Sequence, residues 1–285
     1  MMQIVTDGSA DMPEDWATKY CIHIFPLMVR FGEKMYTSGV DIDPGNFYQL
    51  VKQYGIVPKT SLPSPGQIAD FYRSFAKKGE EILSIHLSSK LSGTFSAVQL
   101  AAREVEKEFQ IVTFDSMAGS AALGFLYREA RLLEESGFSL QKIIERLEKI
   151  KDRLIVIFTL DTLEFARLNG RVSAIQSLVG SFLQIKPIII LKDGILEMGD
   201  KVRTRNRAIE AVLQHVNNRL GRLPVNIAVV HAGDVKAAKN LVIKVKEELN
   251  FREVVITDLA IPVAANLGPG TIGIVAYPVE EEEEL

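Results

Sequence analysis

The stretch ILSIHLSSKLSGTFSAVQLAAREVEKEFQIVTF, residues 82–114, decides the fold class. It opens with an apolar run, Ile82–Leu87, passes through a hydroxyl-rich segment, and continues with apolar residues at helical spacing from Thr94 to Lys107. A second apolar run follows at Ile111–Phe114. Short apolar runs separated by an amphipathic helix are typical of buried parallel strands joined by a right-handed crossover. The stretch therefore predicts a parallel α/β unit.

The same rhythm extends toward the N-terminus. Ile4–Thr6 is a further apolar run and Ile68–Lys77 has helical spacing, so we expect both to belong to the same layered unit. The segment Cys21–Tyr36 contains two β-rich runs and predicts a hairpin at the edge of the sheet. Two helices, at 118–135 and 140–151, follow the parallel unit, and we place a domain boundary just after them, near residue 153.

Beyond this boundary the pattern changes to a mixture of strands and helices. Lys192-Asp193-Gly194 predicts a tight hairpin turn. We predict strands at 154–159, 187–192, 195–198, 227–230, 254–257 and 272–277, and helices at 205–219 and 235–248. The expected architecture is a two-domain α/β protein. It has an N-terminal three-layer α/β/α domain with a parallel sheet (1–153), a C-terminal domain with a mixed sheet (154–279), and an acidic tail (280–285).

Composition and charge exclude several classes of protein. The formal net charge is −3, but five acids lie in the tail Glu280–Glu284, so the remainder of the chain is nearly neutral and lacks the basic character expected of a nucleic-acid-binding protein. We expect the tail itself to be solvated. No apolar run approaches the ~20 residues needed to span a bilayer, and the N-terminus lacks a signal sequence, so we expect a cytoplasmic protein without stable membrane insertion. The single cysteine, Cys21, makes a disulfide impossible within the chain and a cysteine-built metal site unexpected.

Two motifs suggest enzymes but fit poorly. Gly268–Gly273 matches the glycine pattern of dinucleotide-binding proteins, yet we expect a strand rather than a helix after it, so we interpret it as a turn. Asp7 and Asp11 follow the first strand, where a carboxylate could bind magnesium or accept a phosphoryl group. The alternative is that Ser9 and Asp11 cap local turns, which we favour because no second acidic pair completes a metal site. The four histidines are scattered, without a recognisable nucleophile and carboxylate beside them.

Three hydroxyl-rich clusters precede predicted helices, at residues 60–65, 88–94 and 115–120. The N-terminus of a helix exposes unpaired N–H groups and a partial positive charge, so each cluster could hold an anion or simply cap its helix. Because the carboxyl ends of parallel strands meet at one edge of the sheet, we expect the clusters to converge.

Seven motifs in a fixed order resemble the DegV family. They are TSLPS (60–64), SSKLSGTF (88–95), DSMAGSAALG (115–124), LNGRV (168–172), KVRTRNRAI (201–209), VVHAGD (229–234) and NLGPGTIG (266–273). The resemblance covers nearly the whole chain. It implies two α/β domains with a long-chain fatty acid, such as palmitate, between them and no other cofactor. It also implies presentation of that acid to the separate catalytic subunit of a fatty acid kinase.

The resemblance also implies roles for individual residues. Thr60 and Ser92 would hold the carboxylate, and Asn266 stands where the family usually has a histidine, so it can donate a hydrogen bond but cannot carry charge. The expected ligand-binding set is Thr60, Ser61, Ser92, Gly93, Thr94, Ser116 and Asn266. Arg203 would contact the kinase, with Arg205 as a second candidate for that surface. No catalytic residue and no metal site are expected.

An apolar segment, Ile175–Leu183, combines large side chains with Gly180 and serines, which favours a wall beside an acyl chain as much as an ordinary core segment. Three functions stay open at this stage. The first is a carrier that presents fatty acid to a kinase, the second a stand-alone phosphatase or kinase that uses Asp7 and Asp11, and the third a lipid sensor without a kinase partner.

Overall fold

The structure is a computed structural model that describes residues 1–172, 175 and 185–279. In chain order the strands are β1 (Gln3–Asp7), β2 (Ile22–Phe25), β3 (Met28–Phe31), β4 (Lys34–Thr37), β5 (Lys59–Ser61), β6 (Glu81–His86), β7 (Gln110–Asp115), β8 (Ile155–Thr159), β9 (Lys186–Lys192), β10 (Ile195–Val202), β11 (Val225–His231), β12 (Phe251–Asp258) and β13 (Ile272–Pro278). The helices are α1 (Trp16–Lys19), α2 (Pro44–Tyr54), α3 (Pro65–Phe75), α4 (Thr94–Glu104), α5 (Ala121–Glu135), α6 (Leu140–Arg153), α7 (Glu164–Asn169), α8 (Arg205–Leu220), α9 (Val235–Glu248) and α10 (Ile261–Leu267).

The N-terminal sheet is parallel, as the apolar runs predict, with strand order β2-β1-β6-β7. Helices α3 and α4 cover one face, where Val5 and Ile82 pack against Ile68, Tyr72 and Val98. Helix α5 packs on the other face against β1 and β6. The predicted three-layer arrangement is therefore confirmed.

The segment Cys21–Tyr36 differs from the prediction of one hairpin at the sheet edge. Its first run, β2, joins the parallel sheet beside β1, with Ile4 opposite Ile22. The hairpin is formed by β3 and β4 instead, and it belongs to a separate antiparallel sheet of order β4-β3-β5. Pro26 separates the two parts, and since proline has no N–H to donate to a strand ladder, the chain leaves the parallel sheet there.

The C-terminal sheet is mixed, as predicted, with strand order β10-β9-β8-β13-β11-β12. Among the described strands of this sheet, β11 and β12 are parallel neighbours and the other pairs are antiparallel. The hairpin between β9 and β10 turns through Asp193 and Gly194, both with positive φ (48° and 79°), which is the backbone that a tight hairpin turn requires. Helices α8 and α9 cover the outer face.

A shared helical layer joins the two sheets. Helix α5 packs against β1 and β6 on one side and against β13 on the other, and α6 packs against α5 and β13. A single continuous core includes residues of both helices and of both sheets. In this core Leu83 and Ile85 of the first sheet and Val156 and Val275 of the second belong to the same cluster. The segment Ile175–Leu183 lies outside the described residues except for Ile175, which is buried; the tail Glu280–Glu284 also lies outside them.

Candidate functional site

Two adjoining cavities open between the sheets. The first, here called the polar cavity, comprises about 540 Å³ of space between atoms, part of which is open to solvent. Its polar lining consists of Ser9, Thr60, Ser92, Arg171 and Asn266, and its apolar lining of Leu27, Leu87, Leu91, Leu196, Pro262, Val263 and Leu267. Three residues predicted from the sequence, Thr60, Ser92 and Asn266, therefore lie on one cavity although they are far apart in the chain.

Three different elements position these residues. Thr60 lies on β5 opposite Val29, on the buried face of the small antiparallel sheet. Ser92 lies on the loop that joins β6 to α4, at the carboxyl edge of the parallel sheet. Asn266 lies in the last turn of α10, which packs against β5 and α7. The site forms only where all three elements meet, between the two larger sheets.

The hydroxyls and the amide are linked by hydrogen bonds. The Asn266 Nδ2 group donates to the carbonyl oxygen of Pro262 at 2.7 Å and to Thr60 Oγ1 at 3.5 Å. Ser92 Oγ lies 2.9 Å from Thr94 Oγ1 and accepts the Thr94 N–H at 3.3 Å. Since Thr60 accepts from the amide, its own proton remains available to a ligand.

The remaining residues of the predicted ligand-binding set do not line the polar cavity. Ser61 follows Thr60 on the strand, so its side chain lies on the opposite face, 3.9 Å from the sulfur of Met35. Thr94 is buried behind Ser92, and Ser116 is buried in a local turn with Ala118. Gly93 is exposed at the N-cap of α4.

The second cavity, here called the apolar cavity, comprises about 520 Å³ of space between atoms, part of which is open to solvent. One wall is the inner part of the mixed sheet, and the opposite wall comes from the loops after β6 and β7, including Gly119 and Ser120. The sheet contributes Val156, Ile157, Phe158, Leu191, Leu196, Val230, Ile274 and Val275. The predicted third cluster, 115–120, thus joins the site through Gly119 and Ser120 rather than through Ser116.

The two cavities share five leucine and valine residues: Leu87, Leu91, Leu196, Val263 and Leu267. A polar end that continues into an apolar interior is the geometry required by an amphipathic ligand with one polar head.

Sequence reasoning missed two residues of the polar cavity, Ser9 and Arg171. Arg171 belongs to the LNGRV motif, is exposed, and donates from Nη1 to the carbonyl oxygen of Asn169. It is the cationic side chain among the described residues that line this cavity. The LNGRV motif could have indicated Arg171 as a site residue, because an arginine next to a glycine turn is suited to binding an acidic group.

Ser9 reaches the cavity through a buried hydrogen-bond network. Asp7 accepts bonds from the Ser9 hydroxyl, the Ser9 N–H (3.0 Å), the Leu87 N–H (3.1 Å) and His86 Nδ1 (3.0 Å). His86 Nε2 in turn lies 2.6 Å from the hydroxyl of Ser84. Burial alone would raise the pKa of Asp7, but the hydrogen bond and charge of His86 and the other donors outweigh it and hold this pKa below its ordinary value.

The expectation that no histidine has a carboxylate and a hydroxyl beside it is therefore wrong for His86. The hydrogen bonds from Ser84 to His86 and from His86 to Asp7 connect the same three residue types as a catalytic triad. Yet all three side chains are fully buried, and Ser84 Oγ faces the hydroxyl of Tyr72 at 2.8 Å. A nucleophile must reach its substrate, so this network supports the loops that form the cavity and does not act as a triad.

Asp11 also has a long-range role rather than the local capping role favoured from the sequence. Its carboxylate accepts bonds from the Ser120 hydroxyl and from the N–H of Ala260 (2.5 Å). It thereby joins the start of α5 to the start of α10, the helix that carries Asn266. Burial raises the pKa of Asp11 to about 7, against the lowering effect of these two bonds, and the nearby charge of Asp258 adds to the increase.

The two arginines expected at the partner surface differ in their exposure and in their hydrogen bonds. Arg203 is exposed. Arg205 is held internally: Nη1 donates to the carbonyl oxygen of Gly270 at 2.7 Å and Nη2 to Asp234 at 2.7 Å. Gly270 belongs to the glycine turn after α10, which precedes strand β13 as predicted, so Arg205 stabilises that turn.

The described part of the chain has no group of three His, Cys, Asp or Glu side chains arranged to hold a metal ion. No helix within the same residues combines the length and apolar composition needed to cross a membrane.

These features define an α/β protein with two larger sheets and, between them, a cavity with one polar and one apolar end. The family model described as "Uncharacterised protein, DegV family" matches residues 1–279, and the chain belongs to the DegV family. The resemblance noted in the sequence is thus confirmed.

Related proteins align with this chain over nearly its full length. Protein DegV of Bacillus subtilis is 31% identical over 273 residues, which cover 95% of this chain and 97% of that protein. The structure of a fatty-acid-binding DegV family protein from Thermus thermophilus has a TM-score of 0.88 and 31% identity, covering 98% of this chain and 99% of that one. A stearic-acid-binding protein from Eubacterium ventriosum has a TM-score of 0.86 and 26% identity, covering 98% of each chain.

Proposed function

We propose that this protein binds one long-chain fatty acid, with the carboxyl group in the polar cavity and the acyl chain in the apolar cavity. The observation that carries the proposal is the direct junction of the two cavities at five apolar residues, with Thr60, Ser92, Asn266 and Arg171 at one end. The fatty-acid-binding proteins of Thermus thermophilus and Eubacterium ventriosum, which share this fold, support it.

The acyl chain supplies most of the binding free energy. Each buried methylene contributes about 0.8 kcal/mol, so a chain of about fifteen methylenes gains roughly 12 kcal/mol before the costs of ordering and association. Hydrogen bonds from Thr60 and Ser92 add less, but they fix which end of the ligand lies in the polar cavity.

We further propose that the bound acid is presented to the catalytic subunit of a separate cytoplasmic kinase, with Arg203 at the contact surface. The enclosure of Asp7 and Asp11 supports this assignment over a stand-alone phosphatase or kinase, because neither carboxylate lines the polar or the apolar cavity. In the kinase reaction a carboxyl oxygen attacks the γ-phosphorus of ATP, and the products are an acyl phosphate and ADP. An acid that is bound in its neutral form releases its proton in this step.

Organic extraction followed by mass spectrometry tests carriage. Protein produced in a bacterium is expected to yield about one acyl chain per molecule, and delipidated protein is expected to bind added palmitate saturably. Val263→Trp, which fills the junction of the two cavities, should abolish both results. Val235→Trp is the matched control, since Val235 is exposed on α9 and lines neither cavity. Absence of acyl chains and of palmitate binding in the unmodified protein would refute the proposal.

Incubation of loaded protein with ATP tests presentation. Acyl phosphate, trapped by hydroxylamine, is expected only when a fatty acid kinase catalytic subunit is added. Product formed by this protein alone would favour the stand-alone enzyme. Stable binding without product in the presence of an active kinase would favour the lipid sensor.

A further inference from the structure

The orientation of the Asn266 amide determines what this residue can offer to a ligand. Its Nδ2 group lies 2.7 Å from the carbonyl oxygen of Pro262, which is only an acceptor. The opposite orientation would bring two oxygens to that distance, so the NH₂ group must be the one that faces Pro262, and its second contact is Thr60 Oγ1. Asn266 Oδ1 is buried and has no hydrogen-bond partner. Contrary to the expectation from the sequence, the unused atom of Asn266 is an acceptor.

Ser9 is a second acceptor at the polar cavity. The carboxylate of Asp7 can only accept, so in the hydrogen bond between them the Ser9 hydroxyl must donate. Asp7 is fully buried with four donors around it, an arrangement that favours its ionised form. With its proton committed to Asp7, Ser9 presents only lone pairs to any other group.

The charges around the polar cavity do not strongly favour an anion. Asp7 and His86 form a fully enclosed pair directly behind Ser9, and this pair brings no net positive charge to the cavity. Among the described residues the opposing cation at the cavity is Arg171, which is exposed and therefore screened by water and salt. Lys59 and Lys90, on the neighbouring segments, donate to the carbonyl oxygens of Leu168 and Asp193. Helix α10 carries no titratable side chain.

A carboxylate presents four acceptor sites and no donor, so it would leave Asn266 Oδ1 and Ser9 Oγ unsatisfied in a buried site, which is costly. A neutral carboxylic acid offers one carbonyl acceptor for Thr60, Ser92 or Arg171 and one O–H donor for Asn266 or Ser9. We infer that the polar cavity binds the fatty acid in its protonated form, with Asn266 as the residue that selects it. This inference rests on the proposed function and names the ionisation state of its ligand; the proton comes from solvent on binding.

The carboxyl carbon of [1-¹³C]palmitate tests the inference, since its NMR chemical shift differs between the neutral and the ionised acid. Delipidated protein loaded with one equivalent is expected to show the bound resonance at the neutral position at pH 7 and to ionise only above that pH. Binding at pH 7 should take up about one proton per ligand, measured by calorimetry in buffers of different ionisation heat. Affinity should then fall about tenfold per pH unit between pH 7 and 8.

Two substitutions identify the residues responsible. Asn266→Ala and Ser9→Ala should each lower the pH at which the bound acid ionises by a unit or more and reduce the proton uptake. Ser61→Ala is the matched control, because that hydroxyl lies on the opposite face of β5 against Met35. A bound resonance at the ionised position at pH 7, with no proton uptake, would overturn the inference while leaving fatty acid binding intact. Absence of any bound resonance would instead refute the proposed function.

Discussion

Replacing Asp11 with asparagine is expected to stabilise the folded protein above neutral pH. The carboxylate of Asp11 is fully buried and has two donors, the Ser120 hydroxyl and the Ala260 N–H. An asparagine of the same shape can keep both contacts, because its Oδ1 accepts from Ala260 N and its Nδ2 donates to Ser120 Oγ. The substitution therefore removes a buried charge without leaving a polar atom unpaired.

The sign and size of the effect follow from the pKa of Asp11, which burial raises from 3.8 to about 7. A raised carboxyl pKa means that the folded state holds its proton more tightly than the unfolded state does. The corresponding stability is fully present below pH 3.8 and is lost as the pH rises through 7. Each pH unit between the two values corresponds to about 1.4 kcal/mol, so the whole interval corresponds to about 4 kcal/mol as an upper limit.

Urea denaturation at a series of pH values measures this difference. At pH 8, Asp11→Asn should unfold at a higher urea concentration than the unmodified protein, and the gap should shrink as the pH is lowered toward 4. Asp7→Asn provides the contrast: its amide nitrogen would face N–H and O–H donors, so a loss of about 3–5 kcal/mol is expected at neutral pH. Equal or lower stability of Asp11→Asn at pH 8 would refute the reasoning.

Three further outcomes are expected. Thr60→Val should weaken palmitate binding by about 1–3 kcal/mol, the range for hydrogen bonds to neutral and charged partners, and an unchanged preference for palmitate over its methyl ester would place the head group elsewhere. Arg203→Ala should reduce kinase-dependent phosphorylation with little effect on lipid binding. Arg205→Ala should lower the melting temperature, because it removes the hydrogen bond to the Gly270 turn. Equal losses of lipid binding in both variants would place Arg203 in the pocket. Gly194→Ala should lower the free energy of unfolding, measured by urea denaturation, by about 1–3 kcal/mol. The φ of Gly194 is +79°, and the added carbon would lie 2.7 Å from the hydroxyl of Ser88. A stability equal to that of the unmodified protein would show that the hairpin contact is loose.

The parallel unit could be predicted from sequence because its signals are local. Apolar runs and helical spacing within residues 82–114 specify strand, helix and strand without reference to the rest of the chain. The pairing of β2 with β1 could not be obtained in this way, because it depends on contacts between distant segments. Helix α10 was missed as well, although Pro262 in its first turn is a known start signal, because seven residues are too few to show a helical period.

The candidate site shows the same division between local and distant signals. The hydroxyl-rich clusters marked the segments that contain Thr60 and Ser92, and the resemblance to the DegV family singled out these two residues within them. Ser9 and Arg171 join them only through the fold, so their distance in sequence concealed them. The orientation of the Asn266 amide is set by Pro262 of its own helix and by Thr60 of another element, which no residue pattern specifies.

The site also explains why polar groups are buried so deeply around an apolar cavity. The cavity lies within the core shared by the two sheets, so packing alone would favour collapse of its walls. Asp7 fixes the ends of β1 and β6, Asp11 fixes the starts of α5 and α10, and Arg205 fixes the turn before β13. These contacts are directional, unlike apolar packing, and they hold apart the loops from which the cavity is built. A bound acyl chain would then complete the core between the sheets, and its binding free energy would add to the stability of the fold.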